Sequence, residues 1–139
     1  FHFPFAIEEA APVPLSYYGE IAEINIVNIG DITSGMQIEI RASGQVENPR
    51  IYNRDTREFF GVKGEFESGD VIYIDTRKGS KKVRLLRDGE YTNIFNSIER
   101  GSTWLDLKTG DNIFTYEGDG SSAEYMNVRF IHSPLYEGV

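Results

Sequence analysis

At 139 residues the chain has the size of one domain, long enough to bury roughly 68–70% of the surface its unfolded form exposes. Its formal charge of −8 argues against nucleic acid and anionic membranes as partners, because both reward Lys and Arg. The absence of cysteine excludes disulfides and thiolate chemistry, while 9 Phe and 8 Tyr in a 40% hydrophobic chain exclude disorder and favour strands.

Residues 1–18 (FHFPFAIEEAAPVPLSYY) carry three prolines and no steady period, which predicts an extended arm or interdomain junction ahead of one domain over 19–139. Phe1, Phe3, Phe5 and Ile7 alternate with His2, Pro4 and Ala6, as in a strand at a sheet edge or a segment docking on a neighbour. The segment has neither the charged region nor the apolar run of a signal peptide, and no stretch reaches the roughly 20 apolar residues of a membrane span. A start at Phe1 rather than Met reads as a fragment, a processed product or an excised domain.

Residues 20–29 (EIAEINIVNI) place Ala22, Ile24 and Ile26 on one face and Glu23 and Asn25 on the other, a strand ended by Gly30-Asp31. Residues 36–42 (MQIEIRA) alternate Met36, Ile38, Ile40 and Ala42 with Gln37, Glu39 and Arg41, the clearest period of two in the chain. One face of such a strand is wet, which favours antiparallel sheets.

Residues 49–86 read as consecutive hairpins in one antiparallel meander. Residues 51–53 and 58–62 flank Arg54-Asp55-Thr56-Arg57, where Asp55 is expected to bond its own backbone two residues on. Residues 71–75 and 82–86 flank a tip at Lys78-Gly79-Ser80, and Ser68-Gly69-Asp70 joins the two units. Residues 92–98 (TNIFNSI) are the best short-helix candidate, with Thr92 or Asn93 as cap and Gly101 as stop. A strand over 103–107, a turn over 109–112, a strand over 113–116, a flexible tip over 117–122 and a long strand over 123–132 complete the chain. The sum is an all-β fold, an antiparallel two-sheet β-sandwich of nine to eleven strands with at most one short helix.

The catalytic inventory is empty. Only His2 and His132 offer imidazoles, no HxxxH, HExxH or CxxC appears, and neither a GxSxG elbow nor a phosphate loop is present. The expectation is no catalytic, cofactor or metal residue. The 22 Asp plus Glu fall mostly in turns or on outward faces, and a glycosidase-like carboxylate pair is the weakest of the readings considered. Among the aromatics, Trp104 points outward if Leu105 and Leu107 point inward, which makes it a packing residue, a partner anchor or a sugar platform. Tyr52, Tyr73 and Tyr116 are lesser candidates of the same kind.

The order of several short elements resembles the C-terminal domain of siphophage distal tail proteins. These elements are Gly30-Asp31 before the Met36 strand, Asn48-Pro49-Arg50-Ile51, Gly69-Asp70 before Val71, Ser102-Thr103-Trp104 followed by Gly110-Asp111-Asn112, and the closing Pro134-Leu135-Tyr136-Glu137-Gly138-Val139. The resemblance covers residues 19–139 and implies a galectin-like, jelly-roll type sandwich. It also implies a non-enzymatic adaptor in the virion, at the tail tip or baseplate, made in a host cytoplasm or encoded by a prophage. Its implied partners are receptor-binding or tail-associated proteins and a ring-forming N-terminal domain absent from this sequence, with residues 1–7 as the junction to it. Tyr52, Arg54, Arg57 and Trp104 are the expected partner-binding residues. The alternative function is a carbohydrate-binding module for host cell-wall saccharide.

Overall fold

The computed structural model describes residues 23–132. Eleven strands run through them: β1 Glu23–Asn28, β2 Gln37–Ala42, β3 Val46–Glu47, β4 Arg50–Asn53, β5 Phe59–Gly61 and β6 Glu65–Phe66 in the first half. β7 Val71–Asp75, β8 Lys82–Arg87, β9 Glu90–Asn93, β10 Gly110–Glu117 and β11 Met126–Ile131 follow. They form an antiparallel four-stranded sheet in the order β1-β10-β4-β5, a five-stranded sheet in the order β11-β2-β7-β8-β9, and a small β3-β6 ribbon. The two main sheets share one core and make the expected all-β sandwich.

Alternation decides which face is buried. Ile24, Ile26, Ile51, Phe60 and Phe114 line the inner face of the four-stranded sheet, and Ile38, Ile40, Ile72, Ile74, Val83, Val128 and Phe130 line that of the five-stranded sheet. Removing these side chains from water, at about 25 cal/mol per Å² of apolar surface, is the main force holding the sheets together. Three inward asparagines sit where strands give way to loops. Asn28 donates to the Leu107 and Ile32 carbonyls, Asn112 donates to those of Ile26, Lys108 and Gly110, and Asn53 accepts from Asp55 and Thr56. Each thereby satisfies backbone groups left unpaired where the ladder ends.

Several local expectations are corrected. The segment 49–86 is not one meander: β4 and β5 belong to one sheet and β7 and β8 to the other, the chain crossing between layers after β5. The β4–β5 turn is closed by Asn53 rather than Asp55, because the Asn53 Oδ1 accepts from two consecutive N–H groups while Arg57 turns the chain at φ 69°. Residues 92–98 are not a helix. Thr92 pairs with Leu85 in the β8–β9 hairpin, and only a single 3₁₀ turn, Phe95–Ser97, follows, its Phe95 N–H bonded to the Asn93 side chain.

Residues 103–107 do not form a strand: they touch partners only at their ends, where Thr103 N–H bonds Phe59 O and Leu107 bridges Ser34. The expected turn at 109–112 begins only at its first residues, since β10 already includes Gly110. The last strand starts at Met126, after a second 3₁₀ turn, Ser122–Tyr125. The expected arm over 1–18 lies outside the described residues.

Candidate interaction surface

With both inner faces consumed by the core, recognition falls to the two outer faces and the rims. On the outer face of the four-stranded sheet, register sets Glu23, Thr115, Tyr52 and Phe59 in one row across β1, β10, β4 and β5. Tyr52 and Phe59 touch, with ring centroids 5.8 Å apart. Beside them the Arg50 guanidinium forks onto Glu99, Nε to Oε1 at 2.7 Å and Nη2 to Oε2 at 3.1 Å, and reaches Glu117 at 3.4 Å. The Tyr52 hydroxyl donates to the same Glu117 at 3.1 Å, and burial with that carboxylate close by raises its pKa.

Arg54, just past the end of β4, is held by both oxygens of Glu23 at 3.0 and 3.1 Å. This face is internally matched: each of its arginines already has a carboxylate. Strand β5 is not left open either. Val62 bridges Ile98, Glu99 N–H bonds Gly61 O, and Thr103 N–H bonds Phe59 O, so the 97–103 loop covers that edge.

Of the four partner-binding residues expected from sequence, the structure brings Tyr52 and Arg54 onto one face and places Arg57 on the exposed turn after β4. Trp104 lies elsewhere. Leu105 and Leu107 are buried as expected, yet Trp104 does not point into solvent: it is half-buried between Phe60 at 4.8 Å and Phe95 at 5.9 Å, with the Lys81 ammonium 5.9 Å from its ring. The segment leaves β5 at Thr103, so strict alternation no longer governs it. Tyr116 belongs to the core, where burial raises its pKa.

The outer face of the five-stranded sheet is built differently. Its middle row reads Arg129, Glu39, Tyr73, Arg84 and Asn93 across five strands, and the next row reads Asn127, Arg41, Val71, Leu86 and Tyr91. Glu39 is buried, its side chain 7% exposed, beneath Arg41 at 3.3 Å and Arg129 at 3.6 Å, both of which remain about half exposed. Asp75 is likewise buried and gripped by Arg77 through two bonds of 2.8 and 2.9 Å. Burial opposes the charge on Asp75, but the Arg77 fork prevails and holds its pKa below the usual carboxylate value.

Arg84 is the exception among these cations. Among the described residues no carboxylate pairs with it, its Nε has no acceptor, and its guanidinium carbon sits 4.7 Å from the centre of the Tyr91 ring. Tyr73 and Tyr91 are themselves 5.8 Å apart, and burial together with the Glu39 charge raises the Tyr73 pKa. Sequence reasoning missed this cluster except for Tyr73: positions 73, 84 and 91 are joined by two successive hairpins, but Glu39 and Arg129 meet them only through long-range strand pairing. A further local signal was the alternation that put Arg84 on the wet side of its strand. Among the described residues, no group of Asp, Glu or His is arranged to hold a metal ion.

A family model described as the C-terminal domain of the siphovirus-type tail component matches residues 29–132. No curated protein and no solved structure matches the chain. The match spans both sheets and all strands but β1, so that the chain belongs to the siphovirus-type tail component family, a family of phage structural proteins, and its sandwich is that family's C-terminal domain.

Proposed function

We propose that this domain is a non-enzymatic adaptor at the tip of a siphophage tail, where it fixes receptor-binding or tail-associated proteins relative to the tube. The observation that carries the reading is the family match over residues 29–132. Two features of the fold support it. A single shared core makes the sandwich stiff, and its outer faces present tyrosines and arginines, residue types that dominate protein interfaces. Arg54 and Arg57 are exposed and Tyr52 half-buried, so a partner meeting the β4 face would touch the rim arginines first.

The saccharide reading drew on the sandwich, Trp104 and the tyrosines, and the Trp104 ring is packed against Phe60 and Phe95. The test is to purify the other tail proteins of the same phage and measure their binding to this chain by native mass spectrometry. Stoichiometric complexes with one or more of them are expected. Binding to none, with a folded chain, contradicts the proposal.

A further inference from the structure

The two outer faces differ in one respect that bears on what each can hold. On the β4 face, Arg50 and Arg54 are spent on Glu99, Glu117 and Glu23. On the five-stranded face the acids are buried and the cations stand above them: Glu39 and Asp75 lie under Arg41, Arg129 and Arg77, while Arg84 and Lys82 have no carboxylate bonded to them among the described residues. A guanidinium has five N–H donors, so the single Glu39 contact of the half-exposed Arg41 leaves outward donors on it. Even Asn93 adds to this, because its side-chain oxygen is taken by the Phe95 N–H and its NH₂ remains. In a chain of net charge −8, this face sets Arg41, Arg77, Lys82, Arg84 and Arg129 against two buried carboxylates, Glu39 and Asp75.

From this juxtaposition we infer that the outer face of β2, β7, β8 and β9 docks an acidic polypeptide segment of a partner tail protein, with Arg84 as the central anchor. The inference rests on the adaptor reading above and names the surface and the partner's chemistry. A neutral sugar brings no charge to answer these cations, whereas Asp and Glu side chains bring negative charge and acceptors alone. Tyr91 presents its ring at the sheet edge, 54% exposed, and holds the Arg84 guanidinium, which lowers the ordering cost of binding. The row from Glu39 to Asn93 crosses three strand spacings, about 14 Å. That length suits an extended stretch of several residues.

The full chain, labelled with ¹⁵N, is titrated with poly-L-glutamate as the probe. Saturable amide shifts are expected in β2, β7, β8 and β9 and not in β1 or β4, with Arg84→Gln weakening binding by about tenfold or more. Tyr91→Phe keeps the stack and the affinity. Shifts confined to the other sheet, or undiminished binding by an Arg84→Gln protein with a normal melting curve, overturn the assignment. So does tighter binding of polygalacturonate than of polyglutamate at the same face, which would make an acidic glycan the occupant. The purified tail proteins are then tested against wild type and Arg84→Gln. Equal binding to both overturns this face and leaves the adaptor reading standing; binding to neither, wild type included, removes the adaptor reading itself.

Discussion

Phe114 of β10 and Phe130 of β11 stack across the sandwich, ring centroids 5.2 Å apart and planes inclined by 25°. They come from different sheets and are both buried, so this pair is a direct link between the layers. Truncation leaves a cavity that strands cannot close without losing register. Phe114→Ala is expected to cost about 3–5 kcal/mol in urea unfolding, and Phe114→Leu clearly less. Equal, small losses in both would show that the layers are held elsewhere.

Acid stability follows from two carboxylates under arginines. Asp70 accepts from Arg87 at 2.6 and 3.0 Å and from the Glu67 N–H at 2.8 Å; the Arg87 bonds, aided by that N–H, hold its pKa below the reference 3.8 despite burial. Asp75 is lowered by Arg77 in the same direction. A depressed folded value means that the stabilisation is complete above the unfolded value and is lost as pH falls through the folded one. Stability is therefore expected to be flat near neutrality and to fall below about pH 4. Asp70→Asn should cost about 1–3 kcal/mol at pH 7 and flatten that acid limb. An unchanged limb would place the linkage in other groups.

Two glycines predict opposite outcomes for the same substitution. A Cβ on Gly35 would sit 2.5 Å from the Arg77 Cα, a clash with backbone that only a shift of the strand ends can relieve. At Gly79 the space is open and the obstacle is only a φ of 80°. Gly79→Ala should cost about 1 kcal/mol, while Gly35→Ala should cost more than twice that or prevent folding. Thermal melts of the two variants decide it.

Trp104 offers an internal probe. Because it is packed on Phe60, Trp104→Ala should destabilise by about 2–3 kcal/mol, less than a fully buried tryptophan, and Trp104→Phe by less again. A neutral Trp104→Ala would return this ring to the list of surface anchors.

Much of the fold was legible because it is local. Ile38 and Ile40 against Glu39 and Arg41 state their faces outright, and β7 and the Lys78-Gly79-Ser80 tip fall where turn chemistry puts them. The misreadings have two causes. Residues 103–107 suit a strand, but their neighbours, Ser34 and Phe59, are supplied by distant parts of the chain. Residues 92–98 suit a short helix only if the local hairpin at Asp88-Gly89, which pairs Thr92 with Leu85, is overlooked. The candidate surface was least legible of all. The β7–β8 hairpin sets Tyr73 opposite Arg84, but Glu39 meets Tyr73 only through β2–β7 pairing, and no spacing in sequence encodes that neighbour.

An adaptor of this kind belongs at the tail's far end. Gold-labelled antibody raised against the isolated chain, applied to intact virions under the electron microscope, addresses that directly. Label confined to the distal tip of the tail is expected. Label along the tube or on the head, or virions that lack the protein altogether, would contradict it.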